Sequence, residues 1–469
     1  MNENKTPENT SGKYSRRQFL STAALTAATV TIVPRHVLGG PGYKAPSDKL
    51  NIACIGVGGK GKADIMGVSS ENIVALCDVD SRKYAELQTK IETDLPETEI
   101  PQAMEWFNKA KRYKDFRKML TEMDKDIDAV TVTTPDHTHA VAAMMALKMK
   151  KHVFVQKPLT HTIQEARALA AEAKKQGVTT QMGNQGHTSE GARLINEWIW
   201  DGAIGDVSEV HCWTNRPIWP QGIPAPKESE PIPPELDWDL WLGPAAYRPY
   251  NPALCHFVWR GWQDFGTGAV GDMGAHIIDH PYWALKLKYP STIQATSTQL
   301  NADSYPLASR VKYTFPARDN MPPVDLYWHD GGLKPFQPED LEPGRRMGDW
   351  SGGMLFIGTK GKLMASCYGG NPRLIPESKM QAYTRPAKTI PRSPGIYEEW
   401  IEAAKAGKKS TTDFSYSSPL TQTMLLGVVA TKLQEKNIIL EWDGEKGEIT
   451  NVPEANELLY MPYREGWSL

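Results

Sequence analysis

Apolar and polar stretches alternate along the chain in strand-length and helix-length pieces. Leu50-Asn51-Ile52-Ala53-Cys54-Ile55 is a short apolar run of strand type, Ile73-Val74-Ala75-Leu76-Cys77 is a second, and residues 129–133, 153–155 and 179–182 continue the series. Between them, 140–150 and 164–175 carry helical patterns, while 84–112 is long and charged and reads as helix plus loop. Apolar runs alternating with helices predict a parallel, doubly wound sheet.

From about Gly183 the pattern changes. Residues 193–200 read as a helix, and the stretch from Pro217 to Pro252 holds ten prolines, which excludes regular helix or central strand. A loop of that length in a compact domain is a lid or a binding loop. A glycine-rich approach then feeds a helix from about Asp272 through Trp283. Apolar runs at 311–315, 324–328, 354–357 and 362–365 suit an open, largely antiparallel sheet; 418–432 reads as a closing helix and 433–469 as a loop-rich tail.

The first residues have another character. Ser15-Arg16-Arg17-Gln18-Phe19-Leu20 precedes a weakly apolar run, 21–33, rich in Ala and Thr. A positive start and a short apolar middle make an export signal. Paired arginines followed by Phe-Leu resemble the twin-arginine type, an address read by a receptor and not an anchor. The run is too short for a membrane span of about 20 apolar residues. A periplasmic protein is expected, with the signal removed somewhere in 34–45.

Composition narrows the class further. The 469 residues carry a net charge of −2; residues 1–40 hold five Lys/Arg and two Glu, so the remainder sits near −5. Neither value leaves an electrostatic footprint for nucleic acid, and no basic cluster points to a membrane surface. Five scattered cysteines without a CxxC pair exclude a zinc knuckle or a disulfide framework. Nine of the 15 tryptophans fall between Trp198 and Trp283. Such side chains offer flat apolar surfaces of the kind a pyranose ring stacks on.

Candidate chemistry begins where the first strand ends. Gly56-Val57-Gly58-Gly59-Lys60-Gly61 is G-x-G-x-x-G between a predicted strand and a predicted helix. Gly56 makes the tight turn, Gly58, beside Gly59, lets the backbone approach a pyrophosphate, and Gly61 lets helix and strand pack closely. The helix would aim its N-terminal amides at the phosphate charge. Asp78 ends the second strand 22 residues after Gly56, an acid placed to bind the adenosine ribose and to repel a 2′-phosphate. NAD is therefore expected, with NADP left open by nearby Arg82. On the later helix, Asp272 and His276 are one turn apart on one face, and a histidine titrates in the range a hydroxyl base needs. His276 and His280 also have zinc-ligand spacing, but no Glu lies between them and Pro281 disturbs the turn, so no metal is expected.

Three segments carry a family likeness. Thr134-Pro135-Asp136-His137-Thr138-His139 follows the 129–133 run, Gln156-Lys157-Pro158 follows 153–155, and Asp272, His276 and Asp279 make Asp-x-x-x-His-x-x-Asp. With these the chain, from about Leu50 to its C-terminus, resembles the Gfo/Idh/MocA family of nicotinamide-dependent oxidoreductases, which act mostly on sugars and inositols. Tyr113-Lys114-Asp115-Phe116 and residues 324–332 and 356–361 are similar to its recurring segments as well. The resemblance implies an α/β fold with an N-terminal Rossmann domain over 46–182 and a C-terminal α+β domain over 183–469, behind an export segment at 1–45. It implies Lys157, Asp272 and His276 as catalytic residues. Gly56, Gly58, Gly59, Gly61, Asp78, Thr134, Pro135, His139 and Gln156 would meet the cofactor, and Asn184, His187, Trp262 and Asp279 the substrate. A homo-oligomer through the C-terminal sheet is implied too.

One departure is plain: Gln156 stands where the family has Glu. An amide can hold Lys157 or the substrate by hydrogen bonds but brings no negative charge. The expected function is an exported NAD(H)-dependent oxidoreductase acting on a sugar or glycoside hydroxyl, with C3 a candidate carbon and the cofactor kept bound because no pool exists outside the cytoplasm. The alternatives are an NAD-dependent glycoside hydrolase working by transient C3 oxidation and a non-catalytic sugar-binding protein of the same fold.

Overall fold

Six apolar runs separated by helices build the first sheet. They are β1 (Asn51–Ile55), β2 (Asn72–Cys77), β3 (Lys111–Tyr113), β4 (Ala129–Val132), β5 (His152–Gln156) and β6 (Thr180–Gly183), all parallel, in the order β3-β2-β1-β4-β5-β6. This computed structural model describes residues 48–469, so the predicted export segment lies outside it. The strand order reverses between β1 and β4, where such sheets open a ligand crevice at their carboxyl edge. The region read as helix plus loop holds the helices Arg82–Asp94 and Ile100–Lys109 and then β3. Lys111 and Arg112 are exposed on this edge strand, so it lacks the apolar signature of its neighbours. The next helix, Asp136–Lys148, starts four residues earlier than its apolar pattern. Pro135 fixes the entry, and the helix opens with the polar residues Asp136, His137, Thr138 and His139, which hide its start from the apolar pattern.

Nine strands form the second sheet. They are β7 (Val207–Thr214), β8 (Thr292–Ser297), β9 (Ser309–Phe315), β10 (Val324–His329), β11 (Gly352–Gly358), β12 (Gly361–Ser366), β13 (Arg373–Ile375), β14 (Leu440–Asp443) and β15 (Glu448–Ile449). Their order is β13-β12-β11-β7-β10-β9-β8-β14-β15; β7 and β10 run parallel and the other neighbours antiparallel. The helices Gly268–Ile277 and Phe414–Lys432 cover one face. Gly274 permits their contact, because a Cβ there would stand 2.7 Å from Met424 Sδ. The opposite face presents polar side chains such as Glu209, His211, Arg310 and Lys312 around a shallow concavity of about 590 Å³, beside Phe336, which is 97% exposed.

The helix expected from Asp272 through Trp283 is corrected at both ends. It begins at Gly268 and stops at Ile277, and a short second helix, Asp279–Ala284, follows. Pro281 has no N–H to donate to the Ile277 carbonyl, so the ladder breaks there. Asp272 and His276 share one helix, while Asp279 belongs to the next.

A late segment completes the first sheet's core. The helix Ile396–Ala406 buries Ile396, Trp400 and Ile401 against Ile52, Cys54 and Leu76. Trp400 is wholly buried, edge-on to Phe154 of β5 at 5.6 Å between ring centroids. Lys405 pairs with buried Glu71 at 2.7 Å, and Gln181 Nε2 donates to the Ile396 carbonyl at 2.9 Å. Replacing Trp400 with Ala opens a cavity in this core and is expected to cost about 3–5 kcal/mol, read as a lowered denaturant midpoint of the cofactor half.

Candidate active site

The loop after β1 is shaped for a phosphate. Gly56 has φ +88°, and a Cβ on it would stand 2.3 Å from the Thr133 carbonyl oxygen. A Cβ on Gly61 would meet the Gly56 carbonyl at 2.1 Å, so loop and helix close only with glycine at both positions. Gly59, at φ +51°, has nothing within 4 Å of where a Cβ would be. Asp78 Oδ2 accepts from the amides of Val57 and Gly58 at 2.8 and 3.2 Å, tying β2 to the loop. Burial pushes its carboxyl above the usual range, against these hydrogen bonds.

A cavity of about 510 Å³ runs from this loop past Asp78, Thr134, Pro135 and Gln156 to Lys157, walled opposite by Trp241, Phe257, Trp259 and Arg260. Thr134 Oγ1 is buried beside it without a hydrogen-bond partner among the described residues. An orphaned hydroxyl above a glycine cradle fits a bound dinucleotide.

At the far end two cations share one carboxylate. Lys157 Nζ donates to the carbonyl oxygen of Asp272 at 2.7 Å and to its Oδ1 at 2.8 Å, and Arg260 Nε donates to the same Oδ1 at 3.0 Å. Burial alone would raise the Asp272 carboxyl, but Lys157 and Arg260 outweigh it and hold it well below the usual range. Asp272 therefore stays ionised and makes a poor proton acceptor. One turn on, burial, aided by Lys157, holds His276 well below the usual imidazole range, so it is neutral. Its Nδ1 is buried with no partner among the described residues, and its ring lies 4.6 Å from that of Tyr368. Neutral His276 is in the form that accepts a proton; burial and Lys157 weaken it as a base, and ionised Asp272 one turn away favours the imidazolium that forms when it takes one.

Arg260 was not foreseen. Its guanidinium stacks near Trp259 at 4.3 Å and Phe257 at 4.8 Å, so the tryptophan-rich segment supplies the site with an oriented cation. The signal for it in the sequence is an arginine between Trp259 and Trp262, just ahead of the glycine-rich approach.

Other candidates lie away from the cavity. His139 has both ring nitrogens 2.9 Å from carbonyls, those of Pro158 and Thr134, and burial lowers it to about 4. It braces the two motif turns against each other. His187 Nδ1 stands 3.0 Å from Asp279 Oδ2 and its ring stacks on Trp283 at 4.3 Å, while Tyr416 donates to Asp279 Oδ1 at 2.7 Å. These two therefore satisfy one another behind the helix instead of facing the cavity. Trp262 is corrected as well: it is buried among Leu236, Trp238 and Phe265, with its Nε1 donating to the Ala253 carbonyl at 2.8 Å. Asn184 is fully buried next to β6, and its side-chain amide has no partner among the described residues. Among those residues no cluster of three or more His, Cys, Asp or Glu side chains could hold a metal ion, and His280 is enclosed by Gly186 and Gly369.

Asp136 is a further titratable group on the cavity wall. Burial pushes its carboxyl up to about 7, against a 2.7 Å hydrogen bond from Thr267 Oγ1. The folded state thus keeps a proton that the unfolded chain releases near about 3.9, so this group's contribution to stability falls as pH rises from about 4 to 7. Asp136→Asn keeps the acceptor for Thr267 and is expected to flatten that fall, measured as denaturant midpoint against pH.

Comparison with known proteins agrees with this geometry. The Gfo/Idh/MocA oxidoreductase family matches twice, as an NAD-binding Rossmann fold over residues 50–184 and as a C-terminal alpha/beta domain over 206–320. A glycosyl hydrolase family 109 protein of Shewanella pealeana is 26% identical over 212 residues, covering 42% of this chain and 44% of that one. Levoglucosan dehydrogenase of Pseudarthrobacter phenanthrenivorans is 26% identical over 166 residues, or 35% and 34% of the two chains. This chain thus spans less than half the length of each of these curated relatives. Among solved structures, the WlbA dehydrogenase from Bordetella pertussis, crystallised with NADH, shares the fold at a TM-score of 0.55 and 14% identity, over 84% of this chain and 99% of that one. With the glycine cradle, the two motif turns and the Asp272–His276 helix in one site, the chain belongs to the Gfo/Idh/MocA family of NAD(P)-binding oxidoreductases.

Proposed function

We propose that this protein is an exported oxidoreductase that keeps NAD(H) bound and moves a hydride to and from a carbinol carbon of a sugar or glycoside, with C3 the candidate position. The observation that carries the reading is the single cavity joining the glycine cradle to Lys157. When bound, the nicotinamide supplies the hydride acceptor and donor. The remaining tasks fall to the chain. Lys157 has two of its donors on Asp272 and a third for the substrate oxygen. His276 would take the hydroxyl proton as the carbinol carbon is oxidised by the bound cofactor. Asp272, held ionised, accepts from a neighbouring hydroxyl, and Trp241, Phe257 and Trp259 offer flat surfaces for the ring.

Retention of the cofactor is supported by how the Pro-rich segment closes on the first sheet. Ser81 donates to the Glu235 carbonyl at 3.1 Å and Asp237 to that of Val79 at 2.9 Å, while His256 Nε2 stands 2.9 Å from Asp80 Oδ2. NAD is favoured over NADP because Arg82 is spent on Asp80 at 2.8 and 2.7 Å and Lys83 on Glu86 at 2.6 Å. The twin-arginine pattern at Arg16-Arg17 supports a periplasmic location, and the open face of the nine-stranded sheet is the surface through which copies would associate. The likeness to a glycosyl hydrolase family 109 protein favours a second reading, in which transient C3 oxidation acidifies the adjacent C–H and a glycosidic group is eliminated before re-reduction.

Protein purified gently from a periplasmic fraction is expected to carry NADH fluorescence that bleaches on adding a keto-sugar; nucleotide-free protein that also fails to bind added NADH refutes the reading. Lys157→Ala and His276→Asn are each expected to lower kcat about 10²–10⁴-fold, the usual range for a lost proton-transfer group. Phenol release from an aryl glycoside without added acceptor identifies the hydrolase reading instead.

A further inference from the structure

Four side chains converge on a carboxylate that the chemistry above leaves unused. Asp64, in the helix Gly61–Gly67, is fully buried. It accepts from Thr133 Oγ1 at 2.8 Å, from the Tyr397 hydroxyl at 2.7 Å and from Gln156 Nε2 at 2.9 and 3.0 Å, and Lys60 Nζ stands 2.9 Å away. Cys54 of β1 also faces it, so Lys60, Cys54 and Tyr397 are the titratable groups around it. The amide of Gln156 has little freedom. Its Nε2 is taken by Asp64, its Oε1 accepts from the main-chain N–H of Lys157 at 3.3 Å, and a Cβ on Gly183 would lie 2.7 Å from Nε2. Hydrogen bonds therefore tie Tyr397, Asp64 and Gln156 to the main-chain N–H of Lys157, and the side chain rooted there reaches Asp272, which Arg260 shares.

We infer that Asp64 is a positioning residue: it supplies the negative charge at this end of the cavity, and the Gln156 amide passes its hold to Lys157. The residue types at 64 and 156 then form a matched pair. A carboxylate at 156 would stand about 3 Å from Asp64, and two buried carboxylates at that range share one proton. An amide at 64 facing a carboxylate at 156 restores one charge and one set of donors. The inference rests on the proposed role of Lys157 only for its kinetic consequence.

Q156E, D64N and D64N/Q156E test it through melting temperature across about pH 5 to 9 and NADH affinity by fluorescence titration. In Q156E the raised carboxyl makes the folded state hold a proton that the unfolded chain has lost, so melting is expected to fall with rising pH relative to the native protein. NADH affinity should fall about tenfold over the same range, one pKa unit's worth. In the double variant both readouts are expected to follow the native pH profile, with affinity within about threefold of native. On a sugar that the native enzyme oxidises, Q156E should lose kcat with KM little changed, and the double variant should regain it. Native-like melting and binding by Q156E at high pH overturn the inference, as does a double variant no better than Q156E. If Q156E does not fold, a folded, NADH-binding double variant supports the pairing and an unfolded one overturns it. Should no sugar be oxidised, the proposed activity fails while the melting and binding readouts still decide the pairing.

Discussion

One carboxylate oxygen holds the two halves of the site in register. Asp272 Oδ1 receives Lys157 from the end of β5 and Arg260 from the tryptophan-rich segment, so a single buried anion joins the parallel sheet, the central helix and the loop that covers them. Removing three charged groups from water is costly, and the site offsets that cost with direct hydrogen bonds. Such an arrangement does more for geometry than for stability: it fixes where the lysine ends and which carboxylate oxygen remains for a ligand, while burial keeps His276 neutral. The surrounding packing serves the same end. Gly274 lets the helix sit on its neighbour, and His139 braces the turn that carries Lys157.

Charge placement explains the motif departure better than loss of function does. The amide at Gln156 is not a missing acid but the partner of one, since Asp64 lies against it with a full set of donors. A position judged alone looks degraded; judged with its neighbour it is satisfied. Similar pairing recurs at the other end of the cavity, where Arg82 and Lys83 each face a carboxylate, Asp80 and Glu86.

Much of this was legible from local pattern. The glycine loop, the turn at Thr134, Lys157 and the Asp272–His276 spacing each depend on residues close together in sequence; the first three line one cavity, and Asp272 is tied to it through Lys157. What stayed hidden depends on partners far along the chain. Trp262 and His187 have the right chemistry for a ligand, yet a carbonyl at Ala253 and a carboxylate at Asp279 consume it. β7 carries a mixed polar and apolar sequence with no clean alternation, ahead of a proline-rich sequel, yet it lies inside the sheet between β11 and β10. The helix Ile396–Ala406 is amphipathic in an ordinary way; only Phe154 and the slot beside it explain why it carries Trp400.

That helix sets a schedule as well as a contact. Its apolar face fills the core of a sheet whose six strands are all complete by Gly183, more than two hundred residues earlier. During synthesis the dinucleotide half emerges first, with a Trp400-shaped slot open and its glycine cradle already exposed. Its core closes only once the helix Ile396–Ala406 has been made, after most of the second half. The first sheet is therefore not a self-sufficient unit of the residues that build it: part of its interior arrives from the far end of the chain.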